Sequence, residues 1–464
     1  MRITLLCIAL AISSCTPAVH TDPKASSGSR TTSAEQVSTL WDRAKPTRSG
    51  TDWVRFLGPS LDGSSSEKGI STIWPREGLK KVWDCKLGNG YAPPIVAAGK
   101  LFHIDSSETV TQLTCRNAES GEMIWQFDYE FQYEDYYGYD NGPRCSPVVD
   151  GDRVYTYGVE GVIHCLEQKT GKRLWKFDTK QNYFFQQNFF GVGSTPIVEG
   201  ELLLVAVGGS PKGPRPADLR DVQPNGSGIL ALDKKTGKVA YAALDELASY
   251  SSPTVVTLHG QRTALYFSRA GLVAFEAATG KKLFSYPWRA KIQESVNASN
   301  PVVVGDLILL TESYWPGAVC LKVKPDRTGV TVVWSDLEKD REDRSLACHW
   351  NTPIYHDGYV YGSSGRHTPE GDLRCVSLAT GEVKWKEKRT TRSSILKVDG
   401  HALALTEQGE LRLFKLNSEK YDEKARWESP DLEYPCWAPP VLSRGLLYVR
   451  GKNRLVCYEL IPKK

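Results

Sequence analysis

The sequence predicts an all-β protein, an eight-bladed β-propeller built of four-stranded antiparallel blades. Three observations carry that reading. An aromatic residue follows a turn at a fixed distance in unit after unit, a proline-marked strand start precedes each turn, and no amphipathic helical stretch of useful length competes.

The N-terminus reads as an export signal. Met1-Arg2 supplies a short positive region, and Ile3 to Ile12 is apolar but too short to span a bilayer comfortably. Ile12-Ser13-Ser14-Cys15 resembles the lipobox of bacterial lipoproteins, which makes the Cys15 thiol the expected lipidation site. Two acyl chains there would give stable anchoring. Thr16 rather than Asp after the cysteine favours the outer membrane, facing the periplasm, by the sorting rule of enteric bacteria. Residues 16–50 are rich in Ser, Thr, Pro and Ala, too poor in large apolar groups to offset their ordering entropy, and are expected to form a flexible tether. Residues 51–464 form the propeller body.

Within that body Trp125 follows Gly121, Trp175 follows Gly171, Tyr241 follows Gly237, Phe284 follows Gly280 and Trp385 follows Gly381, each by the same distance. Trp334 slips by one residue after Gly329, Trp427 follows a degenerate turn around Asn417 to Lys420, and Trp83 opens the series. The interval is on the scale of propeller blades. Ser146-Pro147, Thr195-Pro196, Ser252-Pro253, Asn300-Pro301 and Thr352-Pro353 mark strand starts, with Pro93-Pro94 and Pro439-Pro440 at the ends of the series and Ser394-Ile395 in the slot without proline. Asp-Gly and Glu-Gly turns and alternating apolar runs follow, so each unit reads as strands A to D.

The last unit ends at strand C, Arg454 to Leu460, and lacks a strand D. Lys80-Lys81-Val82-Trp83-Asp84-Cys85 supplies it, so the N-terminal strand is expected to close the ring. Cys115, Cys165, Cys320, Cys375 and Cys457 share the strand C position that alanine holds at Ala231 and Ala274. Equivalent positions in successive blades are too far apart to bridge, so these five read as free, buried thiols. Cys145, Cys348 and Cys436 lie outside that register, and their pairing stays open.

The unit from Gly161 to Trp175, with its echoes at Gly228 to Tyr241, Gly271 to Phe284 and Asp372 to Trp385, resembles the PQQ-type propeller repeat. That repeat recurs in quinoprotein alcohol dehydrogenases and in the lipoprotein BamB of the outer-membrane assembly machinery. The opening Trp53-Val54-Arg55-Phe56-Leu57-Gly58-Pro59 is similar to the start of a subfamily of exported proteins carrying this repeat. The resemblance implies the fold strongly and a function only weakly, because one fold hosts many sites. It also raises PQQ and calcium as cofactors. The adjacent Cys-Cys pair typical of the dehydrogenases and a Cys-x-x-Cys-His haem site are both missing from the sequence. Asn300, Asn351 and Glu312 would be the calcium ligands to propose, and Trp350 or Trp437 the stacking floor, but none stands in a family motif.

Insertions cluster by loop type. The D-to-A connections at 127–144, 177–193 and 335–350, and the B-to-C connections at 208–228, 312–317 and 363–372, all fall on one face of a four-stranded-blade propeller. Loops on a rigid scaffold carry function. Tyr133, Glu134, Asp135, Tyr136, Tyr137 and Tyr139 crowd the first, and Tyr183, Phe184, Phe185, Phe189 and Phe190 the second. Trp315, Arg344, His349, Trp350, Arg366, His367 and Trp437 belong to the same face, most of them across the ring. Such aromatics mixed with polar groups suit interface anchors or carbohydrate-stacking platforms.

Lys and Arg number 58 against 54 Asp and Glu, and the basic residues are interspersed, which gives no electrostatic case for nucleic acid. No His-x-x-x-His pairing or Gly-x-Ser-x-Gly elbow occurs. The sequence therefore points to a non-catalytic scaffold at the cell envelope, with a monomeric body that binds an envelope protein or polysaccharide. A PQQ-dependent alcohol or sugar dehydrogenase with an altered site is the alternative.

Overall fold

The computed structural model describes residues 33–186 and 189–463. The lipobox and Cys15 lie outside the described residues. Eight blades of four antiparallel strands follow one another along the chain, each ordered A-B-C-D, as the repeat predicts, and the seventh carries a short fifth strand, Ser64–Ser65. Blade 1 runs from Ile95–Ala97 to Met123–Glu130, and blade 7 from Ser393–Val398 to Asp422–Glu428. Blade 8 takes its strands A to C from Val441–Ser443, Leu446–Arg450 and Arg454–Glu459, and its strand D from Lys80–Lys86. Closure by the N-terminal strand is thus observed, with Trp83 paired to Cys457.

The repeat has a direct physical cause. A bulge in strand D sets its aromatic opposite a small residue of strand C: Cys115 faces Trp125, Cys165 faces Trp175, Ala231 faces Tyr241, Ala274 faces Phe284 and Cys375 faces Trp385. The ring then docks on the C-to-D turn of the next blade. Trp125 Nε1 donates to the Gln168 carbonyl at 3.0 Å, Trp175 to Lys234 at 3.2 Å and Trp334 to Leu378 at 2.8 Å. The glycine of that turn has positive φ and lies flat on the incoming ring. A Cβ at Gly171 would stand 2.6 Å from Trp125, and one at Gly237 2.7 Å from Trp175. Blade 7 departs from the expected register, because the bulge there pairs Leu413 with Ala425 and leaves Trp427 two residues further on, opposite Leu411.

The Ser/Thr/Asn-Pro landmarks form a relay around the inner strands. Ser146 N–H donates to Thr195 Oγ1 at 3.1 Å, Thr195 N–H to Ser252 Oγ at 2.9 Å, Ser252 N–H to Asn300 Oδ1 at 2.8 Å and Asn300 N–H to Thr352 Oγ1 at 3.0 Å. A side-chain acceptor before the proline is needed at each step to satisfy a buried backbone donor of the preceding blade. At blade 7, where the proline is missing, Ser393 N–H turns back to Ser363 Oγ instead.

Two features lie beyond the sequence reading. Within the segment expected to be a flexible tether, residues 16–50, Ala34–Arg43 forms a helix, α1, capped by Ser33 and packed through Val37, Leu40 and Trp41 against blade 1. Thr47 and Arg48 are then held through their backbone N–H groups by Glu119. Residues 53–65 close the A-to-B end of the channel. Trp53 bridges Val96 of blade 1, Val149 N–H donates to the Val54 carbonyl, Leu61 packs between blades 3 and 4, and Ser64–Ser65 pair in parallel with strand A of blade 7. Among the described residues no helix is long and apolar enough to cross a membrane. The nine described cysteines, Cys145, Cys348 and Cys436 included, are free, and all but Cys85 are buried.

Candidate functional site

With one end of the channel occupied by residues 53–65, the opposite, loop-bearing face remains, where the D-to-A and B-to-C connections meet. The first insertion is built around Asp135. Its Oδ1 accepts the N–H groups of Tyr137 and Tyr139 at 3.0 and 3.2 Å, and its Oδ2 takes Arg144 Nη2 at 2.7 Å. Asp135 is therefore internal to the loop, and what it presents is aromatic. Tyr136, Tyr137 and Tyr139 are 59%, 46% and 61% exposed. Of the second insertion, Phe185 and Phe189 are buried and serve as footing, with Phe190 packed on Tyr250 at 5.6 Å.

A cleft of about 700 Å³ opens between these insertions. Phe131, Tyr133, Tyr136, Phe184, Phe185 and Phe189 contribute its aromatic walls, Glu108, Glu134 and Glu160 its acids, and Lys180 and Arg215 its bases. Arg215 stacks 4.8 Å over the Tyr136 ring. Burial pushes the Glu160 carboxyl up to about 7, and neither of its oxygens has a hydrogen-bond partner among the described residues. Tyr183 stands beside the cleft, against Phe177.

The residues expected across the ring are joined to these by a chain of rings over the channel mouth. Tyr139 meets Trp437 at 6.3 Å, Trp437 meets Trp350 at 5.5 Å, His349 packs on Trp350 at 5.2 Å, and Tyr314 on His349 at 5.4 Å. Arg392 lies 4.4 Å over Trp350 and grips Glu407, whose carboxylate also receives Trp437 Nε1 at 3.2 Å. Those two hydrogen-bonding partners hold the Glu407 carboxyl below its ordinary range despite burial. Arg366 covers Tyr314 at 4.2 Å, and the buried Arg344 covers Trp315 at 5.3 Å. Trp315 itself is 61% exposed, and His367 is exposed at the edge of its loop. Burial drives the His349 imidazole down to about 3, so it is neutral at ordinary pH.

Sequence reasoning missed Glu160, Arg392, Glu407, Tyr91 and Tyr434. Each stands alone in a short connection, and only the ring brings them together. Tyr91, for instance, in the connection from blade 8 to blade 1, meets Trp437, in the connection from blade 7 to blade 8, at 4.8 Å.

The candidate calcium ligands and quinone floor do not fit that role. Asn300 Oδ1 is spent on the relay, Asn351 Oδ1 accepts His349 N–H at 3.3 Å, and Glu312 accepts Trp315 N–H at 3.1 Å and the Ser295 hydroxyl at 3.3 Å. Trp350 carries the Arg392 guanidinium, and Trp437 is ringed by Tyr91, Tyr139, Trp350 and Tyr434.

Docked aromatics, a closing N-terminal strand and loops gathered on one face define a PQQ-like β-propeller. The chain belongs to the family described as Outer membrane protein assembly factor BamB, which matches residues 111–387. Among solved structures it is similar to BamB from Moraxella catarrhalis, at 14% identity and a TM-score of 0.53, over 82% of this chain and 97% of that one. It is also similar to the computationally designed Ika8 protein, at 8% identity and a TM-score of 0.51, over 84% of this chain and all of that one. A europium-containing methanol dehydrogenase follows at 12% identity and a TM-score of 0.49, over 90% of each chain. These likenesses concern the fold. No curated protein sequence matches the chain.

Proposed function

We propose that the protein is a non-catalytic binding scaffold of the cell envelope, anchored through Cys15, that grips a protein or polymer partner with its loop-bearing face. One observation carries the reading. The large aromatics left exposed among the described residues, Tyr136, Tyr137, Tyr139, Trp315 and Tyr434, all stand on that face, and Tyr136 lines the cleft. Exposed rings gathered on one side of a rigid body suit an interface, because aromatics give large contact area at small rotamer cost. Family membership supports the envelope setting, since the family's description names outer-membrane assembly.

The test is site-specific photocrosslinking in intact cells. A photoreactive side chain at Tyr139 or Trp315 should give a discrete adduct, and one at Val332, exposed on an outer strand, should not. Replacing Tyr136, Tyr137 and Tyr139 by serine should abolish that adduct while the far-ultraviolet circular dichroism and thermal midpoint stay put. Equal labelling at all sites would overturn the reading. Retention of added PQQ with calcium, and dye-linked alcohol oxidation, would replace it with the dehydrogenase.

A further inference from the structure

Strands C and D of blade 4 run out onto the loop-bearing face side by side. Gly271 pairs with Pro287, and Trp288 N–H donates to the Ala270 carbonyl at 3.1 Å, which sets Arg269 opposite Arg289. Arg269 is buried, at 3% exposure, and Arg289 is half-buried. In both, Nε and Nη2 are buried and have no hydrogen-bond partner among the described residues. Two neighbouring guanidiniums with four buried nitrogens lacking a partner are costly, because a buried charge needs one.

The neighbouring acids are engaged elsewhere. Asp218 is held by Arg220 through Nε at 2.8 Å and through Nη2. Glu312, which exerts the largest charge effect on Arg289, already accepts from Ser295 and Trp315. Arg215, on the cleft wall, adds to the positive field at Arg269.

We propose that Arg269 and Arg289 form an oxyanion site that takes a carboxylate or a phosphate group at the edge of the loop-bearing face. The planar, five-donor guanidinium matches such groups two bonds at a time, and a pair presents more donors than either alone. The site stands apart from the scaffold reading, since it can be tested without any partner.

The experiment is calorimetric titration of the full-length protein with sodium phosphate and, separately, sodium acetate, in a zwitterionic buffer at constant ionic strength. Poly-L-glutamate forms a third arm. Saturable binding at millimolar concentration or tighter is expected for one of them. Tighter phosphate assigns a phosphorylated ligand, tighter acetate a free carboxylate, and binding of poly-L-glutamate alone a polymer-borne one. Arg269→Gln and Arg289→Gln should each weaken that binding at least tenfold. The bound anion should raise the thermal midpoint of the unaltered protein but not of Arg289→Gln. Without anion, Arg289→Gln should melt no lower than the unaltered protein, because a repulsion is relieved. That more exposed variant carries the test if Arg269→Gln fails to fold. Absence of saturable binding in all three arms, or unchanged binding by Arg289→Gln, would overturn the proposal.

Discussion

Trp427 of blade 7 lies against Gly78, where an added Cβ would stand 2.0 Å from the indole. Gly78 precedes the N-terminal strand that completes blade 8, so the residue that receives this ring comes from before the first blade in the chain. The ring is therefore closed twice, once by the ladder of Lys80–Lys86 on Arg454–Glu459 and once by this dock.

Gly78→Ala should accordingly destabilise the protein by about 2–4 kcal/mol, combining a left-handed backbone with overpacking. Gly400→Ala shares the positive φ but meets nothing within 4 Å. It should cost only about 1–2 kcal/mol. Urea unfolding of both variants measures the difference, and equal losses would refute the dock.

The buried pair of Arg392 and Glu407 gives a second comparison. Glu407→Gln leaves a buried guanidinium without its charge partner and should cost about 3–5 kcal/mol. Replacing both residues by methionine should recover most of that loss, because the uncompensated charge disappears with its partner. Unfolding free energies of the single and double variants decide it.

Stability should also depend on pH through Glu312, whose carboxyl burial raises from 4.5 to about 7. Below pH 4.5 both folded and unfolded states hold the proton. As pH rises from 4.5 to 7 the unfolded state releases it first, so stability falls across that window, by on the order of 3 kcal/mol, and is level above it. The difference curve between the unaltered protein and Glu312→Gln isolates this effect. His349, driven down to about 3, acts in the other sense, with stability lost as pH falls below 6.5.

The thiols should be silent in the native protein. Burial raises every described cysteine above its ordinary value, to about 12 for Cys348 and Cys436 and about 11 for Cys320 and Cys375. Among the nine described cysteines a thiol reagent should label only Cys85, slowly, before unfolding and all nine afterwards, and reductant should leave the melting midpoint unchanged.

The eight blades and the closing strand could be read from the chain because each depends on local rules repeated many times. Gly171 and Trp175 stand in one turn, although the partner of Gly171 is Trp125 of the preceding blade. What escaped was whatever the ring alone assembles. Trp350, Arg392 and Trp437 come from three inter-blade connections and Glu407 from the B-to-C connection of blade 7, and no spacing within any of the four announces the others. Asp135 looked like part of a ligand-binding surface because acid beside tyrosine suggests one, yet its carboxylate is consumed by its own loop. Helix α1 escaped because a polar, serine-rich composition outweighed its few apolar anchors, Val37, Leu40 and Trp41.

Closure by the first strand also sets an order of events during synthesis. Lys80–Lys86 is made before any blade, and its partner Arg454–Glu459 only after every other strand of the eight blades. Until then the strand has no native ladder, and an unpaired strand is a template for pairing with another chain. The nascent molecule must therefore keep one strand waiting while all the other strands of the ring are made. Two chains refolding together at high concentration can satisfy the same ladder by exchanging these strands, which makes an exchanged dimer the characteristic misassembly of this ring.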